Sequence, residues 1–174
     1  CIYSITKNSS ASLIEYYRDQ HGISASIIWL FNHDSLRRNI SYFLPKIVNI
    51  LYKSINNSLY KESIITLDFW SDWGYAKEYM ELLANNFDKI IGNDFILATG
   101  KTVWINTMVK DLFENHGLDF NNHIKTQMSN KKNKNTYWEA DISKFRKITG
   151  ITPQKSNVEV CEEMLFNLLE RKSK

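Results

Sequence analysis

A chain of 174 residues suits one domain, or a large piece of a bigger one. With 43% hydrophobic and 24% charged residues the composition is that of an ordinary globular protein, and 13% aromatic residues favour a packed core. The net charge of +3 is too small to imply a nucleic-acid partner, and no apolar run approaches the roughly 20 residues of a membrane span, so neither partner is expected.

The predicted elements follow in chain order. Residues 4–20 show helical spacing through Leu13, Ile14 and Tyr17, and His21-Gly22 supplies the stop. Ala25 to Phe31 is a continuous apolar run that reads as a strand buried on both faces, as in a parallel sheet. Pro45 to Leu51 opens a second helix, with Pro in its first turn. Ser63 to Leu67 reads as a short strand. Asp72 then reads as an N-cap for a helix over 74–84. Phe95 to Ala98 is another strand, and Thr102 to Phe113 another helix. The Asn/Lys-rich stretch 121–135 is expected to be loop. Ser156-Asn157-Val158-Glu159 is a capping box before a last amphipathic helix carrying Val160, Cys161, Met164, Leu165 and Leu168. Strands alternating with helices give an α/β class. Cys1 and Cys161 are far apart with no C-x-x-C, so no disulfide framework or metal site is expected and a reducing cytoplasm fits. No signal-peptide pattern precedes the fold, and the opening Cys in place of Met reads as a truncated start.

Three segments carry chemistry. Tyr3-Ser4-Ile5-Thr6-Lys7 places a phenol and an ammonium one helical turn apart on one face. An ammonium near a phenol favours the phenolate, which can act as acid or base. The same spacing also describes a plain surface pair. Leu30-Phe31-Asn32-His33-Asp34-Ser35-Leu36-Arg37-Arg38 follows the apolar strand directly, where ligands bind in open α/β sheets. Taken singly, His33 could be a loop histidine satisfied by a backbone carbonyl, and Arg37 and Arg38 a solvated turn. Asp72-Trp73-Gly74-Tyr75-Ala76-Lys77-Glu78-Tyr79 offers aromatic side chains to pack a helix on the sheet.

In this order and spacing the segments resemble the GDP-mannose 4,6-dehydratase family, extended short-chain dehydrogenase/reductases of the sugar-nucleotide type, from their Y-x-x-x-K motif onward. The second segment is similar to the family's L-F-N-H-E-S-P-R-R, with Asp34 for Glu and Leu36 for Pro. The third is similar to R-D-W-G-H-A-K-D-Y. Glu139 to Phe145 and Gly150-Ile151-Thr152-Pro153 are similar to the family's D-x-S-K-A and L-G-W-x-P close, read as a strand-like entry, a capped short helix and a Pro stop.

The resemblance implies the C-terminal half of a Rossmann-like fold: part of the parallel sheet plus a smaller substrate-binding α/β region. Residues 1–174 would form a single partial domain. About 1–60 would be the remainder of the NADP-binding region and about 61–174 mostly the sugar-nucleotide-binding region. It implies Tyr3 as base and Lys7 as its tuner, both also touching NADP. It implies His33 and Arg38 on the NADP cofactor, and Asn32 and Lys46 on the sugar nucleotide. Lys46 has an equally plain reading as a first-turn helix Lys exposed to water. The complete family enzyme is a lyase and is expected to be a cytoplasmic homo-oligomer.

Departures accompany the likeness. The family's L-G-N-L-D-x-x-R-D-W becomes Ile64 to Trp73, with Ile65 for Gly and Ser71 for Arg. Ile65 loses the close backbone approach that Gly permits. The family's R-P-T-E falls near Lys131-Lys132-Asn133-Lys134, where the cluster reads as a solvated loop or as a phosphate contact. No Gly-rich dinucleotide loop occurs among the six glycines, and the Thr or Ser and Glu expected ahead of the Tyr are absent. Three readings stay open: a GDP-mannose 4,6-dehydratase portion inactive on its own, another sugar-nucleotide epimerase or dehydratase, and a non-catalytic remnant acting as an interaction module.

Overall fold

The computed structural model describes residues 1–127 and 137–172 of the chain. Lys131, Lys132 and Lys134 lie outside the described residues. Helix α1 spans Ile2–His21 and ends where Gly22 takes a left-handed φ of 62°, its N–H bonded to the Arg18 carbonyl. Strands β1 (Ile28–Leu30) and β2 (Asn32–Asp34) follow, then helix α2 (Phe43–Asn56) and β3 (Glu62–Ile64). Next come β4 (Trp70–Ser71), β5 (Trp73–Tyr75), α3 (Ala76–Asn85), α4 (Phe87–Ile90) and β6 (Phe95–Leu97). The chain continues through β7 (Val103–Trp104), α5 (Ile105–Glu114), a 3₁₀ turn at Phe120–Asn122, β8 (Ile124–Thr126), α6 (Ser143–Thr149) and α7 (Asn157–Lys172).

The pairings are mostly parallel, as the α/β pattern requires. β1 pairs with β6, β2 with β5 and β3 with β8, all parallel; β4 and β7 pair antiparallel. The main core is built from helical stripes. Leu44, Ile47, Val48 and Leu51 of α2, Ile105, Met108, Val109 and Leu112 of α5, and Val160, Cys161, Met164 and Leu165 of α7 are buried together. Each set recurs at spacings of three and four, which keeps it on one helix face. A second cluster joins Tyr79, Ile90, Phe95, Leu97 and Phe145. The capping box of α7 forms: the Ser156 N–H donates to Glu159 Oε2 at 2.7 Å and the Glu159 N–H to Ser156 Oγ at 3.3 Å.

Several expectations are corrected. The apolar run before Asn32 is not buried on both faces; Trp29 and Leu30, which alternate to opposite faces of β1, are both exposed, so neither face is fully covered at the end of the strand. Asp72 does not cap a helix. Helix α3 begins after Tyr75, and the Asp72 carboxylate instead accepts from the Thr99 N–H (3.1 Å), the Thr99 hydroxyl (2.7 Å) and the Gly100 N–H (2.8 Å). Helix α5 starts at Ile105, not Thr102, because Val103 and Trp104 pair with β4. Within 121–127 the expected loop holds strand β8, whose Ile124 is buried in the main core. The described residues directly ahead of α6, 137–142, form no strand; Asp141 Oδ1 accepts from the Ser143 N–H there instead.

Candidate functional site

The site grows from the point where the chain leaves one strand partner for another. β1 runs beside β6, and the Phe31 N–H still reaches the Leu97 carbonyl at 3.0 Å. From Asn32 the chain runs beside β5 instead, with Asn32 opposite Trp73, His33 opposite Gly74 and Asp34 opposite Tyr75. Strands that part in this way open a crevice at their carboxyl ends, the usual ligand position in open α/β sheets. The Asn32 amide donates to Ser71 Oγ at 2.9 Å, and Ser71 is itself buried. His33 Nδ1 lies 2.7 Å from the Phe31 carbonyl oxygen, so Nδ1 carries the proton of the neutral ring and Nε2 keeps its lone pair. No hydrogen bond to Nε2 occurs among the described residues. The imidazole sits 5.6 Å from the Tyr79 ring.

Tyr79 is fully buried, and a Cβ added at Gly74 would come within 2.3 Å of its hydroxyl oxygen. Gly74 is therefore required by close packing of α3 on β5. The Tyr79 hydroxyl has no hydrogen-bond partner among the described residues, and burial pushes its titration well above the ordinary phenol value.

Asp34 is almost completely buried. Trp73 Nε1 donates to its Oδ2 at 2.9 Å, and Arg38 Nε lies 3.4 Å from Oδ1 as a charge contact. Burial raises the Asp34 carboxyl above the ordinary value, against the Trp73 hydrogen bond and the Arg38 charge. The Arg38 guanidinium lies 3.8 Å over the Tyr42 ring.

The structure brings Asn32, His33 and Arg38 onto one strand and the loop after it. Tyr3 and Lys7 stand elsewhere, on the exposed face of α1, with Lys7 Nζ 5.6 Å from the Tyr3 ring centroid. No hydrogen bond or ring contact joins them to the β2 group among the described residues. Lys46 is drawn into a separate network, 3.5 Å from Glu62 Oε1 and 3.4 Å from the Ser63 carbonyl oxygen. Glu62 also accepts from the Tyr60 hydroxyl, and that bond, ahead of the Lys46 charge, holds its carboxyl below the ordinary range. Ser71 as the partner of Asn32, and Trp73 as the partner of Asp34, were not legible beforehand: each pair is 39 residues apart in the chain.

By its hydrogen-bonding groups the β2 group suits a phosphorylated, hydroxyl-rich ligand: a guanidinium edge and a side-chain amide that donate, and an imidazole Nε2 that accepts from a hydroxyl, at the ends of parallel strands. Among the described residues no cluster of three or more His, Cys, Asp or Glu could hold a metal ion. The family model for GDP-mannose 4,6 dehydratase matches residues 1–164.

The chain belongs to the GDP-mannose 4,6 dehydratase family.

A GDP-mannose 4,6-dehydratase from Sinorhizobium fredii (strain HH103) is 31% identical over 119 residues, covering 67% of this chain but 33% of that protein. The dTDP-glucose 4,6-dehydratase from Bacillus anthracis, solved in complex with NAD, matches 99% of this chain and 53% of its own, with TM-score 0.81 and 11% identity. RMD from Pseudomonas aeruginosa, complexed with NADPH, matches 97% of this chain and 56% of its own, with TM-score 0.80 and 12% identity. At such identities the likeness is one of fold: the Rossmann-like α/β arrangement of the short-chain dehydrogenase dehydratases and epimerases. The chain thus spans about half the length of these structures. No helix among the described residues is long and apolar enough to cross a membrane.

Proposed function

We propose that this chain is the C-terminal part of an NADP-dependent sugar-nucleotide 4,6-dehydratase, a lyase most like GDP-mannose 4,6-dehydratase. One observation carries the reading. The Asn32-His33-Asp34-Arg38 block, which resembles the family's cofactor and diphosphate segment, lies where β2 leaves β1's partner for β5. Residues about 1–60 would complete the NADP-binding region and about 61–174 would form most of the sugar-nucleotide region. The complete protein would be a cytoplasmic homo-oligomer.

Tyr3 Oη would take the proton of the sugar 4-hydroxyl, with the Lys7 ammonium favouring the phenolate. Both side chains would also hydrogen-bond the nicotinamide ribose. NADP, when bound, would supply hydride storage, so that oxidation at C4 and reduction at C6 cancel and the loss of water is redox-neutral overall. The acid/base group that must take the C5 proton and protonate the departing C6 hydroxyl is absent from this chain and would come from a joined N-terminal portion. The Asn32 amide would donate to the substrate diphosphate. His33 Nε2 and the Arg38 guanidinium would contact NADP. Lys46 would have to leave Glu62 to reach the nucleotide.

The test joins this chain to the N-terminal portion of a relative and measures NADP binding and turnover of GDP-mannose. The expected result is cofactor binding that weakens in Arg38→Ala and His33→Ala, with turnover abolished in Tyr3→Phe. Full turnover in Tyr3→Phe would refute the catalytic assignment.

A second reading, a dehydratase or epimerase for another nucleotide, is favoured by two positions. Ile65 is 72% exposed where the family has Gly, and Ser71 lies buried under Asn32 where the family has Arg. Competition among GDP-, CDP-, UDP- and dTDP-sugars separates the two; tight binding confined to GDP-mannose excludes this second reading. A third, a non-catalytic module, predicts no nucleotide binding in the joined protein.

A further inference from the structure

We infer that Tyr42 and Asp34 are positioning residues that hold the Arg38 guanidinium as a pre-formed fork for a phosphate group. The inference rests on the reading of Arg38 as a cofactor contact. Three surfaces of the guanidinium are distinguishable: its Nε edge, its two faces and its terminal Nη edge. Asp34 Oδ1 takes the Nε edge at 3.4 Å, and the Tyr42 ring takes one face at 3.8 Å. The terminal Nη edge has no ion-pair partner among the described residues, and the Arg38 side chain is 43% exposed. That edge carries the parallel N–H pair that matches two phosphate oxygens.

Both supports are themselves fixed. Asp34 is 2% exposed, and its other oxygen is bound by Trp73 Nε1 at 2.9 Å, so the carboxylate cannot rotate freely. Trp73 in turn stacks on Phe43, the first residue of α2, with ring centroids 5.5 Å apart. Tyr42 directly precedes that residue, and its N–H bonds the Asn39 carbonyl at 3.1 Å. The loop from Asp34 to Tyr42 is thus closed on itself, and Arg38 lies in the middle of it. A flexible Arg loses rotamer freedom on binding an anion; one already stacked and charge-paired loses less. The carboxylate sits beside the guanidinium rather than across its fork, so it orients the group without capping the binding edge.

The experiment uses this chain joined to the N-terminal portion of a relative, and two probes, NADP and inorganic phosphate. The Arg38 Nε–Hε resonance is followed by NMR during titration, and its fast mobility is measured without ligand. Arg38→Ala should weaken NADP binding about ten-fold or more, as expected for charge-assisted bonds. Tyr42→Leu should weaken it about two- to five-fold, the range of an exposed cation–π contact, and should raise the mobility of Arg38 Nε. Tyr42→Phe keeps the ring and should behave as wild type. In the Arg38→Ala background Tyr42→Leu should have no further effect, which a general loss of fold would not reproduce. Asp34→Asn removes the charge beside Nε and should likewise raise the mobility of Arg38 Nε; should it unfold the protein, the Tyr42 variants decide alone.

Wild-type affinity and unchanged Nε mobility in Tyr42→Leu, with Arg38→Ala still weakened, would overturn the positioning role and leave Arg38 as a contact. Binding indifferent to Arg38→Ala would overturn the cofactor reading of Arg38, and this inference with it. Absence of any response of the Arg38 resonance to either probe overturns the fork.

Discussion

At the scale of single residues, the most constrained spot is the contact between Gly74 and Tyr79. The Tyr79 ring fills space that a Cβ at position 74 would need, and its hydroxyl is buried without a partner among the described residues. A buried unsatisfied hydroxyl typically costs about 1–3 kcal/mol. Tyr79→Phe keeps the ring against Gly74 and His33 and deletes that burden. The expected result in chemical denaturation is unchanged or higher stability, by up to about 1 kcal/mol; a loss of stability of that size would show that the hydroxyl has a partner. Gly74→Ala should do the opposite and destabilise by about 1–3 kcal/mol, because a fully buried ring must move. Sequence placed Tyr79 correctly as the residue packing α3 onto the sheet. It gave no sign of Gly74's reason, since the close approach is made by a side chain five residues later that folds back over β5.

At the scale of elements, the cross-links between segments are what sequence hid. Helices α2, α5 and α7 announce their buried stripes at spacings of three and four, and the Ser156–Glu159 box marks where α7 begins. The strands are two or three residues long, too short for a period-2 pattern, and their partners lie far along the chain. Asp72 illustrates the consequence. A carboxylate before an apolar helical pattern reads as a cap, yet here it ties the β4–β5 junction to the end of β6 through three donors. Asp72→Ala leaves the Thr99 and Gly100 N–H groups without their acceptor, and should destabilise by about 3 kcal/mol or more. Asp72→Asn retains one acceptor oxygen and should fall between the two. Equal stability of Asp72→Ala and wild type in urea unfolding would show that the clamp contributes nothing.

A second cross-link is pH-dependent. Arg18 near the end of α1 donates to both oxygens of Asp94, at 2.7 and 2.9 Å, and the Ile27 N–H donates to Asp94 Oδ1 at 2.8 Å. The Arg18 hydrogen bond is the main cause holding the Asp94 carboxyl below its ordinary value of 3.8. A carboxylate depressed in the folded state contributes stability above its unfolded titration and loses it as pH falls through the folded one. Wild type should therefore exceed Asp94→Asn in stability at neutral pH, and the difference should shrink as pH falls below 3.8. A difference that is constant across that range would assign the effect to packing instead.

At the scale of the whole molecule, the two halves of the proposed site are held very differently. Asn32, His33 and Arg38 are fixed by strand pairing and by a closed loop above the core. Tyr3 and Lys7 sit near the start of a 20-residue helix with no buried residue. Ile2, Tyr3, Ile5, Leu13 and Tyr16 on that helix are more than half exposed. Its firm anchor, Arg18 on Asp94, is 15 residues from Tyr3, or about 22 Å along the helix. Helices without tertiary packing are marginal at this length, because their stability comes mainly from a buried face. In the 174-residue chain the first turns of α1 should therefore open readily while α2 and α7 stay closed. Hydrogen exchange gives the test: amides of residues 5–14 should exchange with little protection and those of residues 47–54 should be protected to near the global limit. A base and its tuning ammonium on a fraying turn cannot hold the geometry that proton transfer requires. The chain by itself, incubated with NADP and GDP-mannose, should accordingly give no 4-keto-6-deoxy product. Strong protection of residues 5–14 would remove the structural reason for that expectation, and turnover above background would refute it outright.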